Sequence, residues 1–176
     1  AIIGCGDFFD KPELTAEELT ALNEIGWANI PHYFIVGNHE AVTMDLSTSS
    51  THLFNMIPNC TVFDKPETVI FKNDKVQYLM FPYCKEEEKL TIKDKVTTGD
   101  VVVISHNDVK GIQYGPVESK NGFDVNIIES DCRLFINGHL HNGSQFCRNG
   151  VNIGNLTGQN FGEDGSKYAH SVFILD

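Results

Sequence analysis

Four stretches of this sequence end an apolar run in side chains that can hold a cation. Residues 1–5 lead into Gly6-Asp7, residues 33–36 into Gly37-Asn38-His39-Glu40, residues 101–104 into Ser105-His106, and residues 133–136 into Gly138-His139-Leu140-His141. Asp7 is a hard carboxylate able to bridge two cations. Asn38 offers a neutral carbonyl oxygen, and His106, His139 and His141 offer imidazole nitrogens. Mixed nitrogen and oxygen donors suit manganese, iron or zinc and exclude a thiolate-type structural zinc site. His139 and His141 stand two apart, so on an extended segment they share a face. Two neighbouring metals can clamp a phosphate, activate a water and steady a leaving oxygen. Taken singly, each block has a plainer explanation. Gly-Asp after a strand is ordinarily a turn, Asn38 or Glu40 can cap a helix, and a lone histidine is usually just hydrogen-bonded. Four such blocks, each closing an apolar run, point to one site. His32, His52 and His170 lack that setting and read as surface or structural residues, and Phe8 and Phe9 as core packing.

Donors so far apart in sequence need strands to bring them together. In α/β sheets the carboxyl ends of strands open on a shared crevice, where strand-end residues converge. Apolar runs predict strands at 1–5, 33–36, 61–63, 68–71, 76–81, 101–104, 133–136, 151–154 and 170–175. Leu14, Leu19, Leu22 and Ile25 recur at helical spacing around a start at Thr15, and Gly26 can end that helix. Leu53, Met56 and Ile57 mark a short helix, and 123–128 a weak one. Residues 85–89 read as a solvated helix start, and Asn73-Asp74 as a hairpin turn. Glycine precedes the ligands at Gly6, Gly37 and Gly138, where tight turns and close approach are needed. Strand-helix-strand units mixed with hairpins predict an α/β fold of two packed sheets with helices outside.

The chain has 176 residues, 41% hydrophobic, which suits one domain with a real core. Its 24 acidic and 13 basic residues give a net charge of −11. That balance argues against holding nucleic acid by charge alone, yet leaves a metal site open because bound cations offset part of it. No apolar run is long enough to cross a bilayer, and no basic-then-apolar leader is visible. Five scattered cysteines (Cys5, Cys60, Cys84, Cys132, Cys147) form no CxxC pair. They fit a reducing cytoplasm, host cytoplasm for a phage-encoded chain, with each thiol a small buried hydrophobe.

In their order, Gly6-Asp7-Phe8-Phe9-Asp10, Gly37-Asn38-His39-Glu40, Ser105-His106 and Gly138-His139-Leu140-His141 resemble the calcineurin-like metallophosphoesterase superfamily. Segments 57–66 and 152–163 are similar to its SbcD-type nuclease branch, which includes phage recombination endonuclease subunits working with a coiled-coil ATPase. The resemblance implies an αββα sandwich of two packed mixed sheets with flanking helices, residues 1–176 forming one catalytic domain. Asp7 would bridge both metals. Asn38, His106 and His139 would complete one metal site, and His141 would bind the other metal. His39 would be the general acid and Asp10 its orienting carboxylate. The cofactors implied are two divalent ions, manganese first, with iron, zinc or magnesium as alternatives. A metal-bound hydroxide would attack the phosphodiester. The implied activity is a DNA exo- or endonuclease subunit for end processing or recombination. Its partners would be DNA, an SbcC-type ATPase and a second copy in a homodimer, with no membrane. A small phosphodiesterase or phosphatase on the same centre is the alternative, and a non-catalytic scaffold the third reading.

Three departures accompany the resemblance. The family's opening Asp-x-His block, and the strand that carries it, are not in this sequence. Glu40 stands where the nuclease branch has Asp. The branch's extra DNA-binding region is not in the sequence either.

Overall fold

Alternation along the strands sets the layers. The computed structural model describes residues 1–27, 29–71, 75–86, 89–97, 100–114, 117–156, 170 and 172–175. In these, β1 (Ile2–Gly4), β2 (His32–Ile35) and β3 (Cys60–Phe63) form a parallel sheet in that order. A second, six-stranded sheet runs β10-β11-β9-β6-β5-β4, from β4 (Glu67–Val69), β5 (Gln77–Phe81), β6 (Val101–Ser105), β9 (Leu134–Asn137), β10 (Ser144–Cys147) and β11 (Gly150–Asn152). β5, β6, β9 and β11 are parallel, and β4 and β10 are antiparallel edges. A small ribbon pairs β7 (Gln113–Tyr114) with β8 (Val117–Glu118).

Ile35 and Phe63 of the smaller sheet pack against Met80, Val102, Ile104 and Ile136 of the larger one, so the sheets stack face to face. The alternate residues Leu79, Phe81, Val101, Val103 and Phe135 point away and pack on Phe123 and Ile128, the latter from α2 (Val125–Asp131). Behind the smaller sheet, Phe34 stacks on Phe54 with ring centroids 4.1 Å apart. Phe54 belongs to a 3₁₀ helix (Ser50–Met56). Leu22 of α1 (Ala16–Glu24) joins that cluster. The result is the expected αββα order, and the smaller sheet is wholly parallel among the described residues rather than mixed.

Local signals fared unevenly. Thr15 caps α1 as a capping box with Glu18. The helix buries no residue completely, and Leu19 and Ile25 stay largely exposed, so its period predicted a covered face that the fold only half covers. Residues 172–175 are exposed and carry no strand ladder, contrary to the strand predicted at 170–175. β7, β8 and β10 were not anticipated. The turn at Asn73-Asp74, residues 87–88 of the charged stretch and residues 157–163 lie outside the described set, although β4 and β5 do pair antiparallel as a hairpin requires. Only Cys132 is fully buried, while Cys5, Cys60, Cys84 and Cys147 are half-buried, and all five are free. No helix among the described residues is long and apolar enough to cross a membrane.

Candidate metal centre

The carboxyl ends of β1, β2, β6 and β9 lie together, and the predicted ligands follow from them. Gly6 turns the chain after β1 at φ +84, and Asp7 follows at φ +49. Positive φ costs a non-glycine residue little when it is Asp or Asn. A side chain at Gly6 would run into the His106 ring, and one at Gly37 into Asp7, so both loops approach as closely as they do only because glycine stands there.

His106 is the hub. Its Nδ1 lies 2.7 Å from the Cys5 carbonyl oxygen, which can only accept, so Nδ1 carries the donated proton. Its Nε2 then faces three further acceptors: Asp7 Oδ2 at 2.9 Å, Asn38 Oδ1 at 3.1 Å and His139 Nδ1 at 3.2 Å. Lone pairs so crowded repel unless a cation or a proton sits among them. Asp7, His106 and His139 offer ligand atoms all within 4.8 Å of one another. A mixed carboxylate, imidazole and amide-oxygen set fits a divalent transition metal. The other nitrogen of His139, Nε2, faces Asp108 Oδ1 at 3.5 Å. A carboxylate behind a metal-ligating imidazole commonly fixes its tautomer and orientation. Sequence reasoning missed Asp108, although it stands two residues past His106.

At the mouth of the cluster, His39 donates its backbone N–H to Asp7 Oδ1 (2.9 Å), and its Nδ1 lies 3.3 Å from Asp10 Oδ1. Both side chains are open to solvent. Asp7, Asp10, His39 and His141 line one cleft of about 900 Å³, walled on its apolar side by Ile104 and Ile136. Phe9 is buried, whereas Phe8 is 48% exposed and lines the cleft while its ring packs edge-on against Phe9, Phe34 and Phe54. His32 is buried against Trp27 and Phe34, His52 pairs with Asp64 at 3.4 Å, and His170 is exposed, in keeping with structural and surface roles.

Glu40 does not reach the cluster. It is fully buried, and its two oxygens accept from the backbone N–H groups of Gly37 (2.9 Å), Asp7 (3.2 Å) and Phe9 (3.0 Å). It therefore clamps the Asp7 loop to the Asn38-His39 loop. Burial pushes its carboxyl above the ordinary range, and those donors pull it partly back.

A model of the family "Calcineurin-like phosphoesterase" matches residues 1–143. The chain belongs to this family. Calcineurin-like phosphoesterases use divalent metals, and the Asp7–His106–His139 group is a candidate site for one. The chain is also 26% identical over 148 residues to Exonuclease subunit 1 of Enterobacteria phage T4. That match covers 80% of this chain but 43% of the phage protein, so the chain spans under half of that relative.

Protonation of the metal-free phosphoesterase site is coupled to its stability. Burial opposes a charged His106, but the hydrogen bond and charge of Asp7 outweigh it and hold the imidazole above its usual value. Burial likewise opposes a charged Asp7, and His106 with the His39 amide holds it below the usual carboxylate range. The Asp7 contribution is present above the unfolded carboxyl pKa and is lost as pH falls through the lowered folded value. The His106 contribution is present below the unfolded imidazole pKa and is lost as pH rises through the raised folded value. Both act together from about pH 4 to 6.5. Metal-free protein should therefore melt highest in that window and lower on either side of it. A metal must displace the His106 proton, so metal affinity should rise with pH. Calorimetry in buffers of different ionisation enthalpy should show protons released on binding near neutral pH. Affinity independent of pH, with no proton release, would contradict the assignment of His106.

Proposed function

We propose that residues 1–176 form one catalytic domain of a dinuclear metal-dependent phosphodiesterase that acts on DNA ends. The observation that carries this reading is the crowding of Asp7, Asn38 and His139 around Nε2 of His106, with His39 and Asp10 at the mouth. Asp7, Asn38, His106 and His139 would hold one ion, and Asp7 with His141 would hold the second. When bound, the metals supply Lewis acidity and an activated water. The chain's own part is to hold the ligands, keep His106 in one tautomer and donate a proton from His39 to the leaving oxygen, with Asp10 orienting its ring. Manganese is the first candidate ion, with iron, zinc or magnesium as alternatives. The phage relative's name, Exonuclease subunit 1, supports a nucleic-acid substrate and a place in a complex. We extend this to an SbcC-type coiled-coil ATPase and a homodimer as partners in recombination or repair. The net charge of −11 favours a second reading, a small nucleotide phosphodiesterase, because an acidic surface repels DNA.

The test is a Mn²⁺ titration of the full-length protein against linear duplex, single-stranded DNA and an aryl phosphodiester. Cleavage of DNA that needs the metal supports the first reading. Turnover of the aryl diester alone moves the assignment to the second. No turnover of any of the three with metal bound would leave a non-catalytic scaffold.

A further inference from the structure

A row of buried amides crosses the larger sheet where it meets the site. Ser105 of β6 pairs in register with Asn137 of β9, which pairs with Asn152 of β11. Asn107, Asn137 and Asn152 are all but fully buried; the side chains of Asn137 and Asn152 bond to each other, and that of Asn137 also bonds to the Asn107 backbone. Asn107 Nδ2 donates to the Pro82 carbonyl (2.9 Å), and its Oδ1 accepts from Cys84 N–H (2.7 Å). Asn137 Oδ1 accepts from the Asn107 N–H (3.0 Å), and its Nδ2 donates to the Asn107 carbonyl (2.9 Å) and to Asn152 Oδ1 (3.3 Å). Asn152 Oδ1 also accepts from Leu140 N–H (3.3 Å), while its Nδ2 donates to the carbonyls of Leu140 and Asn142 (3.0 Å for the latter).

Leu140 is the residue between His139 and His141. Both of its backbone polar groups are taken by one side chain from another strand. That residue has no strand neighbour of its own, so the Asn152 amide does for it what a ladder does for a strand. At the other end of the row, Asn107 follows His106 directly. Backbone and side-chain amides thus run from the His106 loop to the His139–His141 loop without a break.

Building on the metal-centre reading, we propose that Asn152 is a positioning residue that sets His139 and His141 against His106 through Asn137 and Asn107. No ligand atom comes from the row itself. Its effect is to hold the histidine loop before a metal arrives, so that little ordering is left to binding. Unmade, these buried bonds would leave loop carbonyls unpaired, which is why asparagine rather than an apolar residue stands there.

Asn152→Asp keeps the size and the acceptor but places an oxygen against two carbonyls. Asn152→Ser removes the bracket more gently and serves if the first variant does not fold. Ile128→Ala, on the core-facing side of α2, lowers stability without touching the row. In the metal-free full-length protein, of the two Asn152 variants only Asn152→Ser loses the acceptor for the Leu140 N–H, and its Leu140 amide should exchange with solvent about ten-fold faster. Mn²⁺ affinity by calorimetry should fall about 10- to 100-fold in both variants, the range seen when outer-shell partners are lost. Ile128→Ala should lower the melting temperature and leave both readings unchanged. Wild-type Leu140 exchange in folded Asn152→Ser, or an equal affinity loss in Ile128→Ala, would overturn the proposal. A wild-type protein without Mn²⁺ affinity would instead sink the metal reading on which it rests.

Discussion

Asp7→Asn should leave the fold intact and remove metal-dependent turnover. Asn keeps the shape, tolerates the φ of +49 that Asp7 adopts, and keeps an oxygen for the His39 amide. What it removes is the charge. Without that charge, no carboxylate remains among Asn38, His106 and His139, and any second ion beside His141 loses its bridge. The loss of Mn²⁺ affinity should exceed the roughly 10- to 100-fold that outer-shell changes produce. Turnover should fall with it, whatever the substrate. His141→Ala is the comparison, because His141 lies along the cleft but outside the three-residue cluster. It should weaken one class of metal site and spare the other, whereas Asp7→Asn weakens both. Two-site calorimetry with Mn²⁺ separates the cases, and equal losses in the two variants would refute the bridging role. Asp7→Ala is the poorer probe, since alanine at that φ adds backbone strain of roughly 1–2 kcal/mol to any ligand effect.

Ligand residues were legible because chemistry and position coincide in them. Asp7, Asn38, His106 and His139 each close an apolar run, and strand ends in α/β sheets meet. The structure brings Asp7, Asn38 and His139 within hydrogen-bonding distance of a single nitrogen, His106 Nε2. The residues that hold them were not legible, for a physical reason. Glu40 acts through the backbone N–H groups of Asp7 and Phe9, more than thirty positions away, and backbone partners leave no trace in residue type. Asn152 works on the backbone of Leu140 and Asn142 in the same way. A strand prediction has a similar blind spot. The tail 170–175 has the right residue types, but a strand exists only beside another strand, and residues 172–175 have no such neighbour among those described. The period of α1 was read correctly, yet period fixes which face is apolar and not how much of it is covered.

His39→Ala should discriminate between leaving groups, which no purely structural residue would do. The His39 side chain takes no part in the ligand cluster, and its one bond to Asp7 comes from the backbone N–H, which alanine retains. Metal affinity should therefore match wild type. Proton donation is what the variant loses. A nitrophenolate departs readily without a proton, whereas the sugar alkoxide of a nucleic acid does not. DNA cleavage should fall by roughly 10²–10⁴-fold, the usual range for a general acid, while hydrolysis of a bis-nitrophenyl diester changes little. Asp10→Asn should show the same pattern at smaller amplitude, because it removes the carboxylate 3.3 Å from the His39 ring and leaves the ring in place. Equal loss on both substrates would mean that His39 binds the phosphate rather than protonating the leaving group. Loss on neither would return the exposed pair His39–Asp10 to the surface, and the cleft would need another acid.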